Sequence, residues 1–494
     1  MYAASGPTDH RAPRQILFMD VNKAWPAFEG THSMDRLQAI GSATTMQRPV
    51  LNEVLTTPYT DEFDVVVAGG GASGLIAAVS ASRLGARTLL LEHANCLGGT
   101  ATYGMVAQWI GFYNRDTRVV GGIAKELADR VVALGGSEGF KQYLMAEASE
   151  HPIPIVHFAF NPEVVKIAAD ALAASTPLQV RFHTRVVAPI VANRRVTGVV
   201  VEDISGRSAI RARMVIDATG DAAVAFGAGV AMAPSECSDA ANVQPCTLMF
   251  RLSNVDVASF RAIPRARKRE LALQGIREGR IFWESLSFCS TPGNTDAICL
   301  MSRVSGIDAT QAGDLSRAEV EGRQQIGSIL SFLKEHVAGF QQATLAAIAG
   351  HVGVRETRRM AGRYTLTQED ILSFRHFPDS IALGAGPMDI HEAGGTGISL
   401  HVPARPFEIP MRCLMPASMS GLVVTGRAIS ATRQANGGAR HMATAMALGE
   451  AAGVMAALEA ASGADPNADA VRGVIQARGG FASATHATET FASQ

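Results

Sequence analysis

Gly69, Gly71 and Gly74 stand at G-x-G-x-x-G spacing, directly after the apolar run from Asp64 to Ala68 and before an alanine-rich stretch. A strand that turns into a helix through such a loop presents backbone N–H groups beside the positive end of the helix, a setting that suits a diphosphate. Gly69 permits the tight turn, Gly71 lets the anion approach the backbone, and Gly74 lets helix and strand pack closely, with Ala72 and Ser73 inside the loop. A second apolar run, Arg87 to Leu91, ends in Glu92. A carboxylate there accepts ribose hydroxyls and repels a 2′-phosphate. The glycine spacing alone also fits a plain tight turn. With both strands, the helix and Glu92 in place, it predicts dinucleotide binding.

A second glycine pair, Gly98-Gly99 followed by Thr100, comes six residues after Glu92. It lets the backbone reach the diphosphate and ribityl chain of a longer cofactor, which points to FAD rather than NAD. Far along the chain, GLVVTGRAIS and a helix after Asn436-Gly437-Gly438 supply a lid for the ring end. A helix N-terminus aimed at the flavin C2 carbonyl would stabilise the charge that builds there on reduction. Close packing is the plainer reading of that small-residue helix.

The elements that must hold these residues follow from the patterning. Residues 1–61 read as an N-terminal arm without sustained periodicity, and order begins near Phe63. Residues 62–235 read as the first part of a dinucleotide domain. They hold a parallel βαβ unit, a helix opening at Asn161-Pro162-Glu163, and a meander through QVRFHT, VVAPIVA, VTGVVVED and SAIRARMVIDATG. Residues 236–345 read as a substrate or cap unit, with a basic helix near Arg265 to Arg280 and an amphipathic helix in LSRAEVEGRQQIGSILSFLKEHV. Residues 346–462 return to the first domain, and 463–494 read as a loose tail.

Bulk composition narrows the classes. The chain of 494 residues is 47% hydrophobic and 18% charged, with a formal net charge of −1 from 44 basic and 45 acidic residues. That balance argues against nucleic acid or an anionic membrane as partner. Six cysteines lie scattered without a C-x-x-C pair, so neither a disulfide framework nor a metal site is expected and a reducing, cytoplasmic setting is. No run reaches the roughly 18 consecutive apolar residues of a spanning helix.

The segments DVVVAGGGASG, LEHANCLGGTAT, MVIDATGDAAVA, GVRETRRMAGRYTLTQEDI, PMDIH and LVVTGRAISATRQANGGARHMATAMALGEAAG resemble bacterial FAD-dependent oxidoreductases related to the fumarate reductase and succinate dehydrogenase flavoprotein superfamily. The resemblance implies an α/β fold: a Rossmann-like FAD-binding domain of the glutathione reductase type, interrupted by an α+β substrate domain. It implies that Gly69 to Gly74, Glu92, Gly98 to Thr100, Val187, Ala218, Gly220, Asp221, Gly426 and Arg427 line the FAD, with His93 and His441 beside it. Where many two-segment flavoproteins carry an aspartate after the late glycine, this chain has Arg427. The local pattern of a covalent flavin histidine is not reproduced, so noncovalent FAD is expected.

Catalysis by flavin needs a substrate carbon near N5 and groups that manage a proton. His391, in DIHEAGG, resembles a substrate-binding histidine by placement, and a histidine held in a turn by Asp389 or Glu392 is its plainer reading. Among Arg355, Arg358 and Arg359, Arg358 is the choice for the cleft and structural ion pairs are the reading for the rest. Arg440 beside His441 meets the pyrimidine or a substrate anion, with surface capping as the plainer reading. No C-x-x-x-x-C pair follows Gly98-Gly99, and no second G-x-G-x-x-G opens a helix. Disulfide exchange and a dedicated NAD(P)H domain are therefore not expected, and the second electron donor or acceptor stays unknown. The expected function is hydride transfer between FAD and a small polar substrate. An oxidase or monooxygenase is one alternative, a flavin-binding RNA-modifying or scaffold protein another, and a homo-oligomer stays open.

Overall fold

A computed structural model describes residues 51–145, 153–233, 243–293 and 295–484. Most of the N-terminal arm, Cys237 and the expected boundary at 235/236 lie outside these. Residues from Thr57 onward form one compact unit, and the description concerns that unit.

Its main sheet grows from the βαβ unit read in the sequence. β1 (Tyr59–Ala68) leads through the glycine loop into α1 (Ala72–Arg83), and the chain returns as β2 (Thr88–Leu91). The strands β3 (Gln179–Arg181), β4 (Arg185–Ala192), β5 (Arg195–Asp203) and β6 (Gly206–Asp217) complete an order β3-β2-β1-β6-β5-β4, and β7 (Leu422–Val424) pairs with β6. β3, β2, β1, β6 and β7 run parallel, with Val65 opposite Met214 and Val67 opposite Ile216. Only β4, β5 and β6 form the antiparallel meander. QVRFHT, read as part of that meander, instead extends the parallel edge. The central strands are buried on both faces, which their unbroken Val and Leu runs anticipate.

The late chain covers α1. α2 (Arg433–Ala439) is followed by α3 (Met442–Ser462), which packs along α1 through bare backbone. A Cβ on Gly449 would stand 2.2 Å from the Ser73 carbonyl oxygen, and one on Gly453 2.3 Å from that of Ala77. The small residues of α3 are thus the contact itself. α3 is long and apolar enough to cross a membrane by composition, yet 83% of its most apolar window is buried inside the protein. The stretch read as a loose tail instead carries α4 (Ala468–Ala477). Asn467 caps it by accepting from the Asp469 N–H, and Val471 and Ile475 are buried one turn apart.

Residues 250–348 form an α+β segment: a sheet ordered Phe288–Cys289, Asp296–Cys299, Phe250–Ser253, Thr344–Ile348, and the helix Ala312–His336, whose Ile326, Ile329 and Leu333 are buried. Gly322 lets this helix lie on Leu248, whose Cβ a methyl there would meet at 2.8 Å.

One carboxyl in this core titrates near neutrality. Glu450, 2% exposed within α3, accepts from the Ile123 N–H at 3.1 Å through Oε2, while Oε1 has no hydrogen-bond partner. Burial pushes its pKa up to about 7 from an ordinary 4.5. The folded state therefore holds the proton longer than the unfolded one. The associated stability is complete below the unfolded pKa and disappears as pH rises through about 7. Glu450→Gln is expected to gain on the order of 2–3 kcal/mol over wild type in alkaline buffer and almost nothing in mild acid. Thermal melts at the two pH values check this, and equal gains at both would contradict it.

Candidate functional site

The glycine loop is shaped for a ligand on one side only. A Cβ on Gly74 would lie 1.8 Å from the Gly69 carbonyl oxygen, and one on Gly69 2.6 Å from that of Ala218. On Gly71 it would meet nothing within 4 Å. The loop is closed toward the protein and bare outward, where no side chain caps α1. The second glycine pair completes the cradle. The Gly98 N–H donates to the Gly70 carbonyl at 2.9 Å, and a Cβ on Gly99 would stand 2.8 Å from the Gly71 Cα. Gly98 and Gly99 have φ of 100° and 52°, the left-handed region that favours glycine.

Glu92 ties the two glycine turns together. Oε2 accepts from the Gly70 N–H at 2.6 Å, Oε1 from the Ala94 N–H at 2.7 Å, and the His93 Nδ1 lies 2.9 Å from Oε1. Burial would raise this carboxyl, but the bonds from His93, Ala94 and Gly70 outweigh it and hold it below the usual range.

The late segment lands on the first turn of α1. The Ser73 and Thr425 hydroxyls, 352 residues apart, are 2.8 Å from each other, and Gly426 lies over Ser73. The Arg427 guanidinium donates to the Asp221 carboxylate at 2.6 Å, the Gly220 carbonyl at 2.8 Å and the Val354 carbonyl at 2.9 Å. Burial opposes ionisation of Asp221, and Arg427 overcomes it. His351 borders this group, and its ring lies 5.9 Å from that of Tyr103, tilted by 44°. Burial, reinforced by Arg427, takes it down to about 4, so it is neutral at pH 7.

Beyond the N-terminus of α3 lies a buried basic cluster. The hairpin of strands Met388–His391 and Ile398–His401 presents Asp389 and His391, both buried. Arg303, 8% exposed, stands with Nη1 3.2 Å from the His391 Nδ1 and donates through Nη2 to the carbonyls of Glu392 and Gly397. Arg440 Nη2 lies 3.2 Å from the Asp389 Oδ2 and donates to the Asp389 carbonyl at 2.9 Å. The His391 Nε2 is 3.3 Å from the Asp389 Oδ1, off the line of a hydrogen bond, and Oδ1 has no partner. Arg355 donates to the Pro245 carbonyl and, at 2.9 Å, to the Thr247 hydroxyl. Burial pulls it down to about 10, with Arg440 adding to the effect. Burial would raise Asp389, but His391, Arg440, His441 and Arg355 hold it down to about 2. Burial, then Arg355 and the other guanidiniums, drives His391 well below 6.5 despite Asp389. At neutral pH the cluster is three guanidiniums, one carboxylate and a neutral imidazole.

A family model described as FAD dependent oxidoreductase matches residues 64–477. The chain belongs to that family. FAD is its cofactor, and the bare outer face at Gly71 beside the first turn of α1 fits the diphosphate. Over 54 residues, 10% of this chain and 8% of the relative, it is 50% identical to the mitochondrial 5-taurinomethyluridine-tRNA synthase subunit of Pongo abelii. The match thus spans under a tenth of that relative's length. Among solved structures, it resembles a geranylgeranyl bacteriochlorophyll reductase-like protein from Thermoplasma acidophilum (16% identity, 85% of this chain and 82% of the other, TM-score 0.46). It also resembles a p-nitrophenol 4-monooxygenase from Pseudomonas putida DLL-E4 (11% identity, 85% of each chain, TM-score 0.43).

The structure of this FAD dependent oxidoreductase brings together Gly69 to Gly74, Glu92, His93, Gly98, Gly99, Ala218, Gly220, Asp221, Gly426 and Arg427 around one loop system, with Thr100 on its exposed rim. Other expectations need correcting. Val187 is the third residue of β4, 37% exposed, and the charge of Arg185 at the start of that strand reaches His93. Arg358 stacks 4.2 Å from the centroid of the exposed Phe226, and Arg355 joins the cluster in its place. Gly437 and Gly438 do not open the long helix. Thr432 caps α2 by accepting from the Ala435 N–H, and both glycines lie within α2. A Cβ on Gly437 would stand 2.7 Å from the Ile390 Cδ1, so this glycine serves packing. The long helix starts at Met442, after His441, whose Nε2 lies 2.8 Å from the Pro387 carbonyl oxygen. Arg303, Arg355 and His351 were missed as site residues. Only Arg355 had a signal in its neighbours.

Proposed function

We propose that this FAD dependent oxidoreductase transfers a hydride between the flavin N5 and a small organic anion, a carboxylate in the first instance. The observation that carries the reading is the charge of the cluster: Arg303, Arg355 and Arg440 surround one carboxylate, Asp389, and His391 stays neutral. The exposed Glu392 also acts on Arg303, so three guanidiniums face two carboxylates and only one of these is buried. Buried charge without a counter-charge is costly, and the site favours an anionic guest. The buried Nε atoms of Arg303 and Arg440 have no hydrogen-bond partner, and so remain as donors. Arg440 and His441 stand just before the first turn of α3.

The Gly71 loop and the first turn of α1 would hold the FAD diphosphate, and FAD would supply a two-electron acceptor or donor at N5. The guanidiniums fix the carboxylate and so orient the adjacent carbon. Asp389, ionised at neutral pH, holds Arg440 in place. His391 is the uncharged member that can carry a proton, with Arg303 setting its orientation through Nδ1. We extend the proposal to residence in the cytoplasm and action on small molecules without nucleic-acid or membrane partners, a reading supported by the balanced charge and by five free cysteines among the described residues.

Anaerobic titration of the holoenzyme with polar metabolites tests it. Carboxylates should bleach the flavin, or reoxidise it once chemically reduced, and uncharged analogues should not. Bleaching by neutral substrates alone would refute the anion reading. Fast reaction of the reduced enzyme with O₂, with a peroxyflavin absorbance, would favour an oxidase or monooxygenase.

A further inference from the structure

A cavity of about 470 Å³ opens between the strand pair Phe140–Met145 and Ile153–Ala159 and the segment 260–292. A narrow slot of about 40 Å³ lies beside it, and both share Tyr143, Ser287, Phe288 and Cys289 as wall. The slot is apolar, walled by Met249, Ile298, Leu300, Ile398 and Leu400. Its wall also holds Trp283 and Ile398, which lead to the basic cluster: the Trp283 ring is 5.8 Å from that of His391, and Ile398 pairs with His391 across the hairpin. None of the glycine-loop residues lines either space, so neither is the dinucleotide cradle. We propose that cavity and slot form a distal subsite of the same active site, which takes an elongated substrate: anchoring carboxylate at Arg303 and Arg440 beside the reacting carbon, apolar stem in the slot, and an anionic or aromatic far end in the cavity. This rests on the anion reading of the cluster.

The chemistry of each part selects its portion of the ligand. A passage this narrow with aliphatic and thioether walls excludes a hydrated group and accepts a chain of methylenes or the edge of a ring. The indole Nε1 of Trp283, itself 8% exposed, has no hydrogen-bond partner, which leaves a donor in the slot wall. Among the described residues lining the cavity, Lys141, Arg261 and Lys268 outnumber Glu138, which pairs with Lys141. His157 adds no charge, since burial takes it down to about 4, and it stacks on Tyr143 at 4.4 Å. The Lys268 ammonium lies 4.5 Å from the centre of the Phe260 ring, so cation and aromatic face occur together. The cavity has the volume of a ligand pocket, within the range of about 300–1,000 Å³.

The test uses holoenzyme and a series of straight-chain monocarboxylates and α,ω-dicarboxylates, with anilinonaphthalene sulfonate as a separate binding probe. kcat/KM is expected to rise about fourfold per added methylene until the slot is filled, the effect of taking one methylene out of water. A terminal carboxylate should then add a further gain at the length that reaches the cavity. Ser287→Phe, which obstructs the shared wall, should flatten the dependence on length and abolish probe binding. Arg261→Met should remove only the gain from the terminal carboxylate. If Ser287→Phe does not fold, Leu286→Trp, which fills the cavity from its own wall, replaces it. A flat dependence in the wild type, or obstruction that lowers short and long members equally, overturns the proposal. Should no carboxylate of any length exchange electrons with the flavin while the probe still binds wild type and not Ser287→Phe, the anion reading fails and the cavity stands as a ligand site without its link to the reaction.

Discussion

Exchange of Arg303 for lysine is expected to lower kcat/KM by about a hundred- to a thousandfold while the flavin stays bound, which is about 3–4 kcal/mol and within the range for disrupting a buried charged hydrogen-bond group. Arg303 serves three acceptors with one planar fork: the His391 Nδ1 and the carbonyls of Glu392 and Gly397. A lysine keeps the charge, but its single ammonium on a flexible stem cannot reproduce that geometry. The imidazole then loses the partner that sets its orientation, and the hairpin bearing Asp389 loses its tie to the 250–348 segment. Two readouts separate positioning from general damage. Flavin content should match wild type, because no cradle residue touches Arg303. The acidic limb of the pH–rate profile should also move, because without the guanidinium N–H held against Nδ1 that ring nitrogen is free to take a proton, although lysine keeps the charge. Loss of turnover with an unmoved profile and a lowered melting temperature would mean that the residue only holds the fold.

The second large effect separates two glycines three positions apart. Gly74→Ala should yield colourless protein, since its methyl would fall 1.8 Å from the Gly69 carbonyl oxygen, a backbone atom that cannot step aside without opening the loop. The destabilisation belongs to the exceptional class, above about 4 kcal/mol. Gly71→Ala should behave in the opposite way as apoprotein. Gly71 has φ −66° and ψ −173°, which alanine adopts without strain, and its Cβ meets nothing within 4 Å. The apoprotein should gain about 0.4–1 kcal/mol from the narrowed unfolded state. The same methyl stands where the diphosphate must approach, so FAD affinity should fall about a hundredfold or more, as when a close contact to a buried charged group is displaced. Melting curves of apoprotein beside flavin titrations check both halves. If Gly71→Ala binds FAD as tightly as wild type, the diphosphate does not lie over that loop.

The contrast between these glycines also shows what the sequence made legible. The cradle could be read because its chemistry is local. Strand, turn and helix follow one another within twenty residues, and each glycine has a steric reason visible from its place in the turn. The basic cluster is the opposite case. Arg303 meets His391 across 88 positions, and no spacing rule connects an arginine in the 250–348 segment with a hairpin in the returning chain. Arg355 and Arg358 were indistinguishable for a related reason. They lie on backbone without regular structure, so no periodicity says which faces inward. Two misreadings had signals that composition outweighed. Asn467, with Val471 and Ile475 at helical spacing, announces α4 inside a stretch dominated by Ala, Asp and Gly. Thr432 before Ala435 announces the start of α2 ahead of the glycine pair.

The seating of α3 on α1 has a consequence for how the enzyme matures. Ser73 meets Thr425, and Gly449 rests on the Ser73 carbonyl, so residues 425–453 supply one wall of a site whose other wall lies more than three hundred residues earlier. A nascent chain emerges from the ribosome N-terminus first. The G-x-G-x-x-G loop is therefore synthesised long before its covering helix exists, and its apolar α1 must wait uncovered for more than three hundred codons. Prosthetic-group loading then waits until α3 has been synthesised. A message truncated anywhere upstream of Met442 yields a polypeptide with an intact fingerprint motif that cannot be charged with flavin.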